Sequence, residues 1–241
     1  DSKGETLAQS IAVDTISINP GFLTYSNNKK VENEVVAKGM SEIFNVTYEE
    51  MMEKLKTGKS VIVIEKKVEK DKVEKKKKWM KENKITAGIN IDEDSKRYYP
   101  YDNLASNLIG FCGTDNSGQT GIEERWDDVL KGVAGKIVTT VDGTGMAISD
   151  ENEQYVRSEN GNNIYLTIDT TIQGTAEKYL KQAMTENPTA TAGNVIIMNP
   201  QTGDILAMAT SPDYNLNTPS SYTSTRYTEE EWKALEAVQR S

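Results

Sequence analysis

The spacing of apolar residues changes several times along the first hundred positions, and each change predicts a different element. Over residues 5–20 the apolar positions nearly alternate with small polar ones, which predicts two short extended pieces that end in a turn at Asn19-Pro20-Gly21. From Ser26 onwards the spacing becomes three to four, which predicts a helix with one apolar stripe. Thr47 and Glu50 then have the spacing of a capping box, which predicts the start of a second helix.

A β-branched run and a highly charged segment follow these helices. Residues 60–64 predict a strand, because Val and Ile favour a pleated, half-buried surface. Residues 65–84 are rich in Lys and Glu with few apolar positions, which predicts a solvated helix that lies on the surface or projects from it. Contact with anionic lipid or a wall polymer is the alternative role of this segment. Residues 85–91 and 96–101 predict further strands or extended segments.

The last third of the chain has the clearest pattern. Residues 163–168 predict a strand, and Asp169 or Thr170 predicts the cap of a helix over residues 172–184. The apolar runs 193–198 and 205–209 flank turn-forming residues, which predicts an antiparallel hairpin. A short helix is predicted at 122–130, a hairpin with a connector at 143–163, and the start of a last helix at 228–231. We place a domain boundary near Gly161.

Composition narrows the classes of function. The chain has 241 residues and a formal net charge of −9, and its one basic stretch is interleaved with acids. It therefore offers no broad positive face to a phosphate backbone, and we expect no nucleic-acid partner. The absence of histidine excludes Ser-His-Asp and Cys-His nucleophile pairs, and also histidine-ligated zinc. Any general base must be Lys, Glu, Asp or Tyr.

The cysteine count, the absence of ligand clusters and the hydropathy pattern add further expectations. Cys112 is the single cysteine, which excludes an internal disulfide, and its apolar and glycine neighbours favour a buried, inert thiol. No cluster of ligand side chains predicts a metal ion. No run of about 18 apolar residues is present, and the first residues lack the charged and then apolar pattern of a signal peptide.

Several motifs, in order along the chain, resemble class B penicillin-binding proteins. The segment Gly193 to Asn217, GNVIIMNPQTGDILAMATSPDYNLN, resembles the opening hairpin of the penicillin-binding transpeptidase domain, and residues 166–177 resemble the strand and helix before it. Residues 1–8 resemble the segment that follows the membrane anchor, with Ser2 in place of the family's usual arginine. The residues that resemble the pedestal domain of this class are Arg97, Pro100, Gly110, Asp115, Gly118, Gly121, Glu123 and Gly132.

We interpret these eight pedestal residues as structural rather than catalytic. Glycine permits a positive φ or a close approach of two backbones, so the glycines are expected to shape the chain. Arg97 and Glu123 are candidates for a fixed ion pair that orients the layer.

The catalytic elements of penicillin-binding enzymes have look-alikes in this chain. The family uses Ser-x-x-Lys at a helix start, Ser-x-Asn and Lys-Thr-Gly, with lysine as the base. The look-alikes are Ser26-Asn27-Asn28-Lys29, Ser17-Ile18-Asn19, Ser158-Glu159-Asn160 and Lys56-Thr57-Gly58. All precede the hairpin, whereas the family's elements follow it, and a helix cap explains Ser26 adequately. We therefore predict no catalytic, cofactor-binding or metal-binding residue in this chain, and the resemblance implies a nucleophile beyond Ser241.

The resemblance implies an α+β fold. An elongated pedestal domain of short strands and helices over residues 1–160 precedes residues 161–241, the first helix and antiparallel hairpin of a transpeptidase domain. It also implies that the parent protein is a peptidoglycan D,D-transpeptidase, which cross-links stem peptides by serine acylation and is acylated by β-lactams. Such an enzyme needs no organic cofactor or catalytic metal. This chain alone is expected to be inactive.

The resemblance further implies a location and partners. The protein would sit on the extracytoplasmic side of the bacterial cell membrane, held by an anchor helix upstream of residue 1. A membrane glycan polymerase and a second copy of the protein are the expected protein partners. Two alternatives stay open: a non-catalytic interaction or scaffold module, and a β-lactam sensor or resistance protein.

Overall fold

A computed structural model describes residues 1–133, 135–138, 154–157 and 159–219, and of residues 136–138 and 154–156 it describes the backbone. The described fold combines helices with small antiparallel sheets, as the predicted α+β class requires. Residues 143–153 of the predicted hairpin with its connector, and the helix predicted from residue 228, lie outside the described residues.

The chain divides into two compact units. Residues 10–96 form the inserted unit, so named because it interrupts the other unit in the sequence. Residues 1–9 and 97–241 form the composite unit. The boundary predicted near Gly161 lies within the composite unit, and a division at that point stays a prediction.

Short strands and three helices build the inserted unit. Its strands are β1 (Gln9–Ile18), β2 (Thr24–Tyr25), β3 (Ile62–Val68), β4 (Ile85–Ala87) and β5 (Ile89–Tyr98), and its helices are α1 (Asn33–Ile43), α2 (Tyr48–Lys56) and α3 (Lys70–Glu82). β1 is the central strand of a sheet of order β3-β1-β5, and β2 pairs with β4.

β1 is one continuous strand where the sequence predicts two short extended pieces. Its antiparallel register with β3 shifts on both sides of Ile16. A bulge of this kind adds a residue without ending the strand. It allows Val13 and Ile16 to be buried together although they are three positions apart. The irregular spacing therefore marks a bulge and not a break.

The first helix begins at Asn33 and not near Ser26. Ser26 follows β2 in a turn, where the N–H of Asn28 donates to the carbonyl oxygen of Tyr25 at 2.9 Å and Asn28 has a φ of 62°. The interpretation of Ser26 as a helix cap is therefore wrong, because this turn uses the backbone bonds that a helix would need. Val31 lies within the range predicted to be helical, but it is buried in the segment before the helix begins.

The predicted capping box at the start of α2 is confirmed. Thr47 Oγ1 accepts from the N–H of Glu50 at 3.2 Å, and Glu50 Oε2 accepts from the N–H of Thr47 at 3.0 Å. Two N–H groups that have no partner within the helix are satisfied in this way.

The Lys-rich segment packs more closely than predicted. β3 continues to Val68, so only α3 is helical, and α3 buries Val73 and Lys76. Trp79 packs against the same apolar cluster. Of the two predicted placements, the helix lies on the surface with most of its residues exposed and does not project. The burial of Lys76 was not predicted, because the pattern counts lysine as polar, whereas its methylene stem can pack like an apolar side chain.

The composite unit contains short helices, one long helix and two hairpin sheets. The described helices are α4 (Ser106–Ile109), α5 (Gly121–Arg125), α6 (Asp127–Leu130) and α7 (Thr170–Glu186), and the described strands are β6 (Lys136–Val138), β7 (Gln154–Val156), β8 (Gly193–Met198) and β9 (Ile205–Ser211). β6 pairs with β7 and β8 with β9, each antiparallel. The one helix predicted over residues 122–130 is interrupted at Trp126.

Of the C-terminal predictions that fall on described residues, the capped helix and the hairpin are confirmed and the strand at 163–168 is wrong. Asp169 caps α7 by accepting from the N–H groups of Thr171 and Ile172 at 2.9 and 3.2 Å, and the predicted hairpin is present as β8 and β9. Residues 163–168 are irregular and form no strand. This stretch forms isolated contacts, such as that from Thr167 Oγ1 to the carbonyl oxygen of Ile205, in place of a ladder.

Candidate functional site

Residues 97–132, which we call the pedestal motif, contain an ion pair between Arg97, near the end of β5, and Glu123, on α5. Arg97 Nε donates to Glu123 Oε1 at 2.7 Å, and the residue Glu123 is 3% exposed. The second carboxylate oxygen, Oε2, lies 3.3 Å from the Sγ of Cys112 and accepts from its thiol. The predicted ion pair is thus present, and both oxygens of a buried carboxylate have a donor.

Two other ionisable groups of this cluster are held neutral. Burial, together with the negative charge of Glu123, raises the pKa of the Cys112 thiol to about 12. The same two causes raise the pKa of the Tyr99 phenol well above its usual range. The phenol oxygen accepts from the N–H of Cys112 at 3.1 Å. A thiol that stays protonated is a weak nucleophile, so this cluster is suited to holding structure and not to covalent chemistry.

Two of the predicted glycines lie where two backbone segments meet. Gly110 has a φ of 75° and Gly121 a φ of 63°, both in the left-handed region. A Cβ atom on Gly110 would overlap the carbonyl oxygen of Thr120, and one on Gly121 would press against that of Leu108. Only glycine meets both conditions, so these positions fix the entry to α5 beside Glu123.

The remaining predicted residues lie around this cluster or apart from it. The backbone of Gly118 approaches that of Glu123 closely, whereas Gly132 lies against the backbone of Glu159. Asp115 is exposed and accepts from the N–H and hydroxyl of Ser117, hydrogen bonds that lower the pKa of its carboxyl group. Pro100 occupies an exposed turn directly after Tyr99.

A segment that follows the hairpin is bound by the pedestal motif. Asn217 Oδ1 accepts from the N–H of Tyr99 at 3.0 Å, and Asn217 Nδ2 donates to the carbonyl oxygen of Tyr99 at 2.9 Å. The amide side chain therefore pairs with both polar groups of one backbone residue, as a neighbouring strand would. Close by, the Tyr214 hydroxyl donates to the carbonyl oxygen of Ser106 at 3.1 Å, and the Tyr214 ring packs edge-on against Phe111.

The α7 helix is joined to the hairpin through a buried amide. Gln173 is fully buried, and its side chain accepts from the N–H of Met208 at 2.7 Å and donates to the carbonyl oxygen of Met208 at 3.0 Å. Gln173 Nε2 also donates to Glu177, whose carboxylate accepts from the N–H of Ala105 at 2.7 Å. Gln173 and Asn217 both lie in segments that resemble the family, but neither was predicted to have a role. A polar residue on an otherwise apolar helix face is the signal that points to Gln173.

The described look-alikes of catalytic motifs occupy ordinary structural positions. Ser26 lies in the turn after β2, and no hydrogen bond joins its hydroxyl to Lys29 in the described structure. Ser17 is buried on β1 and donates to Asp92 at 3.0 Å, and Thr57 forms the end of α2. Ser158 lies outside the described residues. In none of these described look-alikes does a serine hydroxyl form a hydrogen bond with a lysine amine.

Two kinds of feature are absent from the described residues. No group of three or more acidic or cysteine side chains could hold a metal ion there. No helix in the described ranges is long and apolar enough to cross a membrane.

These observations define an α+β pedestal module, in which a buried ion pair and closely packed glycines hold the backbone around the end of a hairpin. The chain belongs to the penicillin-binding protein dimerisation domain family, whose model matches residues 1–166.

Relatives and solved structures agree with this assignment. Peptidoglycan D,D-transpeptidase FtsI of Buchnera aphidicola is 33% identical over 219 residues, which cover 90% of this chain and 37% of the relative. Stage V sporulation protein D of Bacillus subtilis is 35% identical over 138 residues, 57% of this chain and 21% of the relative. The fold is shared with PBP2 of Helicobacter pylori, solved in complex with MreC, with a TM-score of 0.65 at 20% identity over 97% of this chain and 43% of that one. The chain thus spans well under half the length of these proteins.

Proposed function

We propose that this chain is the N-terminal part of a class B penicillin-binding peptidoglycan D,D-transpeptidase. Residues 1–160 serve as its pedestal domain and residues 161–241 as the start of its transpeptidase domain. The observation that carries the proposal is the pairing of Asn217 with Tyr99, because it attaches the segment after the hairpin to the pedestal motif. The name of the Buchnera relative, aligned over 90% of this chain, supports the same activity.

In this proposal the pedestal orients the transpeptidase domain, and residues beyond Ser241 carry out the reaction. A serine beyond Ser241 attacks the D-Ala-D-Ala end of a stem peptide, D-Ala leaves, and the acyl group passes to an amine on a neighbouring strand. A lysine one helical turn after the serine takes its proton. β-Lactams acylate the same serine, and neither an organic cofactor nor a catalytic metal takes part. Within this chain the Arg97–Glu123 pair fixes the backbone that holds Tyr99.

The proposal includes a location and partners. An anchor helix upstream of residue 1 holds the protein on the extracytoplasmic side of the bacterial cell membrane. A membrane glycan polymerase and a second copy of the protein are proposed partners of the pedestal. The Helicobacter PBP2 was solved in complex with MreC, which supports a pedestal that engages another protein.

The second candidate is a non-catalytic interaction or scaffold module. It is favoured by the contacts of the described motif residues, since Arg97 pairs with Glu123 and the predicted glycines lie close to backbone atoms. A β-lactam sensor or resistance protein is a third reading, which the long pedestal disfavours.

Labelling with a fluorescent penicillin tests the proposal. The full-length protein should form a covalent adduct at a serine after Ser241 that lies within about two helix lengths and begins a Ser-x-x-Lys sequence. The 241-residue chain should remain unlabelled, with Ser26→Ala as its matched control. An adduct at Ser26 would overturn the assignment of that turn as structural. A full-length protein that forms no adduct favours the scaffold module.

A further inference from the structure

The first residue of the chain binds the start of a helix 169 positions away. Asp1 is 8% exposed, and its Oδ2 accepts from the N–H and the hydroxyl of Thr170 at 3.2 and 3.0 Å. Next to it, the N–H of Ser2 donates to the carbonyl oxygen of Ile168 at 2.8 Å, and Lys3 Nζ lies 2.6 Å from Asp169 Oδ2. Residues 1–4, which we call the clasp, therefore reach the first turn of α7 by several contacts.

Both oxygens of the Asp1 carboxylate accept hydrogen bonds, each from a different segment of the chain. While Oδ2 binds Thr170, Oδ1 accepts from the N–H groups of Lys3 and Glu5 at 2.8 Å each and closes the turn of the clasp. Gly4, with a φ of 86°, allows this turn. One carboxylate thus stabilises two separate pieces of backbone, so the closed turn and the contact with the helix support each other.

The contact supplements the ordinary cap of α7. Asp169 satisfies the N–H groups of Thr171 and Ile172, and Asp1 satisfies that of Thr170. Carboxylates at a helix N-terminus also interact favourably with the helix dipole, and Lys3 offsets the repulsion between the two charges. Three residues into α7, Gln173 pairs with both backbone polar groups of Met208 on β9. A continuous series of contacts therefore runs from Asp1 to the hairpin.

We propose that Asp1 is a positioning residue, which ties the clasp to α7 and thereby holds the hairpin of the transpeptidase region in register with the start of the pedestal. The inference rests on the proposed function for its biological meaning. In physical terms it is a coupling between the clasp and β9, which are connected through α7 and Gln173. Weaker binding of the clasp should therefore make the hydrogen bonds at Met208 open more often.

Hydrogen exchange of the 241-residue chain tests this coupling without any catalytic serine. Asp1→Asn keeps the size of the side chain but leaves one acceptor oxygen, which can serve the turn or the helix and not both. We expect the Thr170 amide to exchange about tenfold faster, the usual scale for loss of a helix cap, and the Met208 amide to exchange faster as well. Thr170→Val, which removes one of the two donors, should give a smaller change in the same direction.

The control is Asp115→Asn, the same chemical change at an exposed carboxylate that contacts Ser117 and not α7. It should leave both amides unchanged. Faster exchange at Thr170 with no change at Met208 would reduce the clasp to a local cap and overturn the coupling. No change at either amide would overturn the clasp itself. Loss of penicillin labelling in the full-length protein bears on the proposed function and leaves the exchange result intact, so the two failures are distinguishable.

Discussion

The inserted unit buries one continuous apolar cluster, whereas the composite unit divides its buried apolar residues between smaller clusters and adds buried polar groups. In the inserted unit Ile16, Met40 and Met51 are fully buried among other apolar side chains. In the composite unit Glu123 and Gln173 are buried and bind specific backbone or side-chain partners. Apolar contacts depend mainly on volume, and polar contacts depend on the identity and direction of each atom.

This difference suggests that the two units differ in how many substitutions they tolerate and in how narrowly they position their segments. A unit held by one apolar cluster tolerates substitutions of similar volume. A unit held by buried polar pairs tolerates fewer substitutions, because each partner must keep its hydrogen-bonding atoms in place. In return, it holds its segments in more narrowly defined positions. The composite unit contains the residues that bind the segment around Asn217. The unit that is expected to tolerate fewer substitutions is therefore also the one on which the proposed function depends.

Glu123→Gln is the largest expected effect. The amide carries no charge and offers one acceptor oxygen, so either Arg97 Nε or the Cys112 thiol loses its hydrogen bond to residue 123, and the ion pair loses its carboxylate. We expect the free energy of unfolding of the composite unit to fall by about 3–4 kcal/mol, measured by urea unfolding with hydrogen exchange resolving the two units. The neighbouring exposed Glu124→Gln should change it by less than about 0.5 kcal/mol. An equal loss in the inserted unit would show that the two units do not unfold separately.

Met40→Ala is the corresponding change in the inserted unit. Met40 is fully buried on α1, and truncation leaves a cavity, so we expect a loss of about 3 kcal/mol in that unit, measured in the same urea titration. Met40→Leu, which nearly conserves volume, should cost less than about 1.5 kcal/mol. If the leucine variant is as destabilised as the alanine variant, the inserted unit is not the tolerant one and the comparison fails.

Local patterns in the sequence predict much of the fold. The Thr47 capping box, the α7 helix and the β8–β9 hairpin follow from contacts between residues close in sequence, and the structure contains all three. The Arg97–Glu123 ion pair is also predictable, because the two residues carry opposite charges and both lie in the segment that resembles the pedestal domain. These predictions succeed because each depends on few residues.

The missed features depend on partners far apart in the sequence. Asn217 and Tyr99 are 118 residues apart, and Asp1 and Thr170 are 169 apart, so no local spacing signals either contact. Ser26 misleads for a different reason, since a serine followed by two asparagines suits a turn as well as a helix cap. The pairing of β2 with β4 favours the turn over the helix cap, and β4 lies about 60 residues further along the chain, beyond the reach of a local pattern.

Lys76 is a buried charged residue in the inserted unit, where Ser17 is the other buried polar residue. It is 2% exposed on α3, and its Nζ donates to the carbonyl oxygen of Ile89 at 3.0 Å. Burial, with a smaller contribution from the charge of Lys77, lowers the pKa of its amine to about 8. A cation held away from water in this way opposes folding.

Lys76→Met should therefore stabilise the inserted unit by about 2 kcal/mol at pH 7, because methionine fills similar space without a charge. The effect depends on pH with a definite sign. The folded pKa, about 8, lies below the ordinary value of 10.5, so between these values the unfolded chain binds more protons and the wild type gains stability as pH rises. The advantage of the variant should fall to about a quarter of its size at pH 10. Urea unfolding of both proteins at pH 7 and pH 10 measures this, with Lys75→Met, at an exposed position of the same helix, as the control. An advantage that stays constant with pH would mean that the gain comes from packing and not from removal of the buried charge.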